Sequence, residues 1–201
     1  MSFKNSDLGD LTERWPAADA SRRDFIVGVG AFALCVYGGK LWAAEAAPAA
    51  GPQVSIEMFS AAGKSEGIVR VAKVVKTEAQ WRAQLSPLAF NVARQSGTER
   101  AYSGEYDANH ADGIYRCICC DTALYDSHTK YDSGTGWPSF WRPIAAHNVV
   151  KNPDSSLGIQ RDAIACARCD AHLGHVFDDG PRPTGLRYCM NSVSLHFVAR
   201  G

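Results

Sequence analysis

The stretch "GIYRCICC", residues 113–120, runs a β-prone segment into a Cys-x-x-Cys pair, and "CARC", residues 166–169, repeats that spacing 45 residues later. Two such pairs offer four thiolates from two tight turns, the donor set that closes a tetrahedron around Zn²⁺. A compact zinc finger would hold its pairs closer together. Here a metal on Cys117, Cys120, Cys166 and Cys169 staples distant parts of one domain, and four sulfurs leave no coordination position open. The expected role is therefore structural, with one ion per chain. A redox dithiol is the rival reading of each pair, but neither lies in the βαβ context of a thioredoxin-like motif. Cys119 shares the first turn and could compete as a ligand, although Cys117 and Cys120 have the usual spacing.

Outward from these pairs the text stays β-rich. "SFWRPI", "HNVVK", "IQRDAIAC", "HVF" and "LRYCMNSVSLHFVAR" are short runs separated by Gly, Pro, Asn and Asp, which predicts a mainly antiparallel β domain. The two knuckles read as a pseudo-symmetric pair. Upstream, "VSIEMF" alternates, "AAGK" turns and "GIVRVAKVV" returns, a β-hairpin pattern. Two short helices follow: Thr77 and Gln80 form a capping-box pattern, and Ser86 precedes Pro87 as N-cap and first helical residue. With 201 residues and 46% apolar content the chain can bury a core and carry an appendage. Its 21 basic and 21 acidic residues balance, so charge implies no nucleic-acid partner.

The appendage is residues 1–46. A polar lead reaches "SRRDF" (21–25), then comes "FIVGVGAFALCVYGG", then Lys40 and an Ala-rich stretch in which Ala44-Glu45-Ala46 offers a cleavage site. Arg22 and Arg23, with Ser21 before and Phe25 after, resemble a bacterial twin-arginine export signal. A retained membrane anchor is the alternative, but 15 apolar residues with four glycines are short for a bilayer span. The expectation is export to the periplasm, loss of Cys35 with the signal and no stable membrane insertion. Residues 47–52 read as a linker and 53–201 as the folded domain.

One cysteine stands outside both pairs. Cys189 lies two residues after Arg187 in "GLRYCMNS", so on a strand both side chains share a face, with Asn191 next in that series. A guanidinium beside a thiol lowers its pKa, so Cys189 reads as an activated nucleophile. "AHLGHVFDDG" places His172 and His175 nearby as an acid or base. A buried, inert strand cysteine is the plainer alternative. "YDSGTGWPSFW" is a Gly-rich turn presenting Trp137 and Phe140, which read as core or as the wall of a pocket for a small apolar group.

With "GIYRCICC", "KYDSGTGWPSF", "CARCDAHLGHVFDDGPRPTGLRYCMNS" and "SLHF" in this order, residues 53–201 closely resemble the methionine sulfoxide reductase B family. The resemblance implies two antiparallel sheets with a few flanking helices and a structural zinc. It also implies reduction of the R epimer of methionine sulfoxide, peptide-bound and possibly free. By motif, Cys189 takes the nucleophile position; His175, Arg187 and Asp179 take catalytic positions; Trp137, His172 and Asn191 take substrate positions; and Cys117, Cys120, Cys166 and Cys169 take the zinc positions. Many family members carry a second, resolving cysteine in the "GWPSF" turn, where this chain has Thr135. Regeneration is therefore expected from a thioredoxin-like thiol donor rather than from Cys119, and a monomer is expected. Two other classes compete: a zinc-bound β binding module, which would not need Arg187, Cys189 and the histidines, and a thiol–disulfide oxidoreductase working through a Cys-x-x-Cys pair.

Overall fold

The computed structural model describes residues 51–156 and 160–200. The expected signal, including Cys35, and most of the linker lie outside these residues. The alternating segment forms β1 (Gln53–Phe59), which pairs antiparallel with β2 (Ser65–Ala72). Ile56 and Phe59 are buried, Phe59 against Ile114, Ala123 and Ala145, whereas β2 is almost wholly exposed. Buried Asn148 fastens the hairpin: it accepts from the Glu57 amide at 2.8 Å and donates to the Glu57 and Ala123 carbonyls, each at 2.8 Å.

Both expected helices form. Thr77 and Gln80 make the reciprocal capping box of α1 (Glu78–Gln84), and the Ser86 hydroxyl caps α2 (Pro87–Gln95) with Pro87 in its first turn. Trp81, Leu85, Ala89, Phe90 and Ala93 face the main core. The polar ends of the helical region hold the two cysteine turns. The Gln84 amide donates to the Cys119 carbonyl at 2.9 Å, and Arg94 donates to that of Cys169 at 2.7 Å.

The remaining strands are β3 (Gly113–Cys117), β4 (Ala123–Asp126), β5 (Lys130–Tyr131), β6 (Ser139–Phe140), β7 (Val149–Asp154), β8 (Arg161–Cys166), β9 (His172–Phe177), β10 (Arg187–Met190) and β11 (Leu195–Ala199). They build a three-stranded sheet, β11-β3-β4, and a six-stranded sheet, β5-β6-β10-β9-β8-β7, antiparallel throughout. The mainly β architecture is as expected, with one refinement. "LRYCMNSVSLHFVAR" is two strands in different sheets, because a 3₁₀ turn at Ser192–Ser194 interrupts it. The Glu99 carboxylate, 2% exposed, accepts the Ser192 amide at 2.6 Å and the Val193 amide at 3.0 Å and so holds that turn. These bonds satisfy backbone donors that would otherwise be orphaned.

Between the sheets sits an aromatic core. Tyr125 stacks on Phe140 with ring centroids 4.4 Å apart, Tyr115 meets Phe140 edge-on at 5.1 Å, and the Tyr125 hydroxyl reaches the Met190 sulfur at 3.0 Å. Each such buried ring contributes about 2–3 kcal/mol by area. Met190 is thereby fixed inward, which turns its strand neighbour Cys189 to the opposite face.

Candidate active site and metal centre

The two cysteine turns have matching backbones. The Cys117 amide donates to the Thr122 carbonyl and the Asp121 amide to the Cys117 carbonyl; likewise the Cys166 amide donates to Ala171 and the Asp170 amide to Cys166. Asp121 and Asp170 both take the left-handed conformation, at φ 62° and 57°. Asp tolerates that region better than most residues. The pseudo-symmetry expected from sequence is therefore real down to single hydrogen bonds.

These turns bring the Cys117, Cys120, Cys166 and Cys169 sulfurs within 4.8 Å of one another. Cys117 and Cys169 are 3.6 Å apart, and Cys120 and Cys166 are 3.5 Å apart. Zn–S bonds of about 2.3 Å in a tetrahedron require sulfurs about 3.8 Å apart. Four soft donors at this spacing fit zinc. Cys119 lies outside the quartet, 4% exposed in the hydrophobic core, and all six described cysteines are free of disulfides.

Cys189 occupies a different setting, in the middle of the six-stranded sheet. It pairs with Ser139 of β6 on one side and His175 of β9 on the other, and His175 pairs with Ala163 of β8. Directly opposed residues present their side chains on one face, so Ser139, Cys189, His175 and Ala163 form a row across four strands. Two residues along, Arg187 pairs with Phe177 and Arg161 pairs with Asp154. Arg187 stacks over the Phe177 ring at 4.4 Å and grips Asp179 with two hydrogen bonds, at 2.8 and 2.7 Å.

His172 and His175 are three apart and would face opposite ways on a regular strand. They do not, because Leu173 is an extra residue: Ala165 pairs with His172, Ile164 with Gly174 and Ala163 with His175. This bulge puts both imidazoles on one face, with ring centroids 5.2 Å apart. Gly174 lets β9 and β10 approach here, since a Cβ would strike the Cys189 carbonyl. Burial lowers the His172 pKa to about 4, so this ring is neutral at physiological pH, and its Nε2 has no partner. The His175 Nε2 lies 2.8 Å from Asp154 Oδ2.

The thiol differs from expectation. Arg187 does pull the Cys189 pKa down, helped by Thr135 and Ser139, but burial outweighs them and the net shift is upward. The strand geometry placed the guanidinium correctly; the desolvation of a mid-sheet sulfur was invisible to it. Cys189 opens onto a cavity of about 180 Å³ lined by Trp137, His175, Phe177, Arg161, Thr98 and Asn191. Asn191 is buried, with both ends of its amide on backbone: it accepts from Glu99 at 2.9 Å and donates to Leu173 at 3.1 Å.

A family model described as the SelR domain matches residues 85–199, which contain all of these groups. The chain belongs to the SelR family. Curated relatives agree with that. The peptide methionine sulfoxide reductase MsrB of Pseudomonas fluorescens (strain Pf0-1) is 57% identical over 128 residues, which is 64% of this chain and 98% of the relative. The protein of the same name from Pseudomonas aeruginosa (strain UCBPP-PA14) is 55% identical over 130 residues, 65% of this chain and 98% of the relative. The β1–β2 hairpin precedes the SelR match.

Within the SelR segment, three groups escaped the sequence reading. Glu99 holds the 3₁₀ turn after Cys189 with its carboxylate, and its carbonyl accepts from the Trp137 indole at 3.1 Å. It thus connects the strand of Cys189 to Trp137. Asp154 and Arg161 form the second connection, to His175. "GTER" and "NPDSSLGIQR" carry no local pattern that would have found them, because both act across long sequence separations. Thr135 sits in a turn made by Gly134 and Gly136, at φ 69° and 85°. A Cβ at Gly136 would meet Tyr102, whose amide donates to the Gly136 carbonyl at 2.8 Å. This places Thr135 Oγ1 3.9 Å from the Cys189 sulfur, within a hydroxyl chain through Ser133 to Ser139 at 2.8 and 2.7 Å.

Proposed function

We propose that this protein reduces the R epimer of methionine sulfoxide in peptides and proteins, and that Cys189 is its nucleophile. The observation that carries the reading is the half-buried Cys189 thiol, outside the cysteine quartet and set opposite His175 in a cavity walled by Trp137 and Phe177, inside a SelR domain. The thioether end of the substrate suits an aromatic wall. Trp137 would hold the methyl group, and Arg187, kept in place by Asp179, would favour the thiolate. The Cys189 thiolate attacks the sulfoxide sulfur while His175 gives a proton to the oxygen. The sulfur–oxygen bond of the substrate breaks, methionine gains two electrons, and Cys189 loses two to become a sulfenic acid. His172 and Asn191 would line the substrate's oxygen.

A thiol of a thioredoxin-like donor then attacks the sulfenic sulfur and releases water. A second donor thiol resolves the mixed disulfide and returns Cys189 to its starting state. Thr135 cannot form a disulfide, which supports an external donor. Cys117, Cys120, Cys166 and Cys169 would hold zinc, which stabilises the fold when bound. The twin arginines Arg22 and Arg23 with the following apolar run support export to a bacterial periplasm, where oxidised proteins would be the substrates.

The test is a single-turnover reaction of the full chain with separated R and S epimers of a methionine sulfoxide peptide, without reductant, followed by intact mass. About one equivalent of methionine from the R epimer alone, with oxygen or a thiol-trapped adduct mapped to Cys189, is expected. No methionine from either epimer would refute the reading.

A further inference from the structure

Asp154 lies at the end of β7, two strands away from His175, yet its carboxylate touches the imidazole. Adjacent strands are about 4.8 Å apart, so this contact must cross the whole of β8. It can do so because the residue between them, opposite His175, is Ala163. A larger side chain there would fill the gap. Asp154 Oδ2 also takes Arg161 Nη2 at 2.9 Å, and Oδ1 takes the Ser156 amide at 2.9 Å. The Ser156 hydroxyl and amide, then His175 and Arg161, hold the carboxyl well below the usual carboxylate range. Arg161 in turn lines the Cys189 cavity.

We propose that Asp154 is a positioning residue for the acid step: it grips His175 by Nε2 and leaves Nδ1 as the nitrogen that serves the Cys189 cavity. This rests on the reading of His175 as the proton donor. In the step, Nδ1–H passes its proton to the oxygen that moves from substrate to Cys189. The imidazole stays bonded to Asp154 through Nε2–H and regains its Nδ1 proton from solvent in the Cys189 cavity; a second, polar cavity beside Ser96, Thr98 and Asn152 also borders the ring. The charged and titratable groups facing His175 are Asp154 from β7, Arg161 from β8, His172 from β9, and Cys189 and Arg187 from β10, with Asp170 on the far wall of that polar cavity. Of these, Asp154 alone bonds the ring.

The experiment compares the metal-loaded full chain with its Asp154→Asn variant in single-turnover reduction of the R epimer of a methionine sulfoxide peptide, across the pH range in which histidine titrates. The variant should lose roughly tenfold to a hundredfold in rate, part of what a positioned general acid contributes. The peptide concentration at half-saturation and the rate of Cys189 alkylation by iodoacetamide should stay as they are. Asp154→Glu, which keeps a carboxylate within reach of Nε2, should recover most of the rate that Asp154→Asn loses. A merely structural role would change the melting curve and leave the asparagine and glutamate variants equally slow.

Nitrogen-15 spectra of the unsubstituted protein give a readout that needs no variant: neutral His175 should be the Nε2–H tautomer. A Nδ1–H tautomer, or an Asp154→Asn profile that superimposes on the original, overturns the proposal while leaving the reductase reading intact. An unsubstituted chain that makes no methionine would remove both.

Discussion

The quartet of cysteines and the single Cys189 use the same element in opposite ways. Around the quartet the backbone itself is the template: two turns with the same hydrogen bonds and the same left-handed Asp deliver sulfurs at 3.5 and 3.6 Å. Around Cys189 the template is a sheet, and its neighbours come from three strands and two distant loops. A turn repeats wherever its short sequence repeats, so each half of the quartet can be written in a few letters. A row across strands exists only after the sheet has formed, so its partners are scattered from Thr98 to Asn191.

If the two regions differ in this way, damage to each should produce a different defect. Cys189→Ser should abolish methionine formation in the single-turnover assay and leave the melting temperature and metal content unchanged; measurable turnover would show that the nucleophile lies elsewhere. Cys166→Ser should instead release the metal and destabilise the fold by several kcal/mol, as loss of a structural site does. Metal analysis and thermal melting report this, and an unshifted melting curve would make the quartet dispensable. Glu99→Ala leaves one buried and one half-buried amide without acceptors and should cost about 2–4 kcal/mol. Because the carboxylate's two bonds also hold in place the Glu99 main chain, whose carbonyl accepts from Trp137, turnover of the still-folded fraction should fall too. Activity unaffected by that substitution would separate the aromatic wall from the turn. The smallest change is expected from Arg187→Ala. Burial already raises the Cys189 pKa while Arg187 opposes it. Removing the cation should raise the pKa further, so iodoacetamide labelling at a given pH should slow and its rise with pH should begin later. Labelling that speeds up would mean the guanidinium shields the sulfur more than it charges it.

Local codes carried much of the fold. The capping box at Thr77, the Ser86-Pro87 start, the hairpin from Gln53 to Ala72 and both cysteine turns were readable because each is decided within a few residues. Cys189, Arg187 and the histidines stood out in the sequence, and the structure brings them to one face. Three features were not readable. The division of the last β run needs Glu99, 93 residues from Ser192. The alignment of His172 with His175 depends on a bulge at Leu173 that only pairing with β8 reveals. The upward shift of the thiol depends on how deeply the sheet buries it, which no spacing encodes.

Thr135 has a kinetic consequence. It stands 3.9 Å from the Cys189 sulfur, within the Ser133–Ser139 hydroxyl chain. A thiol in that place would make regeneration a first-order event inside one molecule. A hydroxyl leaves it, in the cycle proposed above, to a collision between two. Under the proposed cycle, the steady-state rate then rises in proportion to donor concentration until chemistry at the sulfoxide becomes limiting. Below that point the speed of repair belongs to the compartment's supply of thiols, and the same enzyme would run fast or slow according to where it is sent.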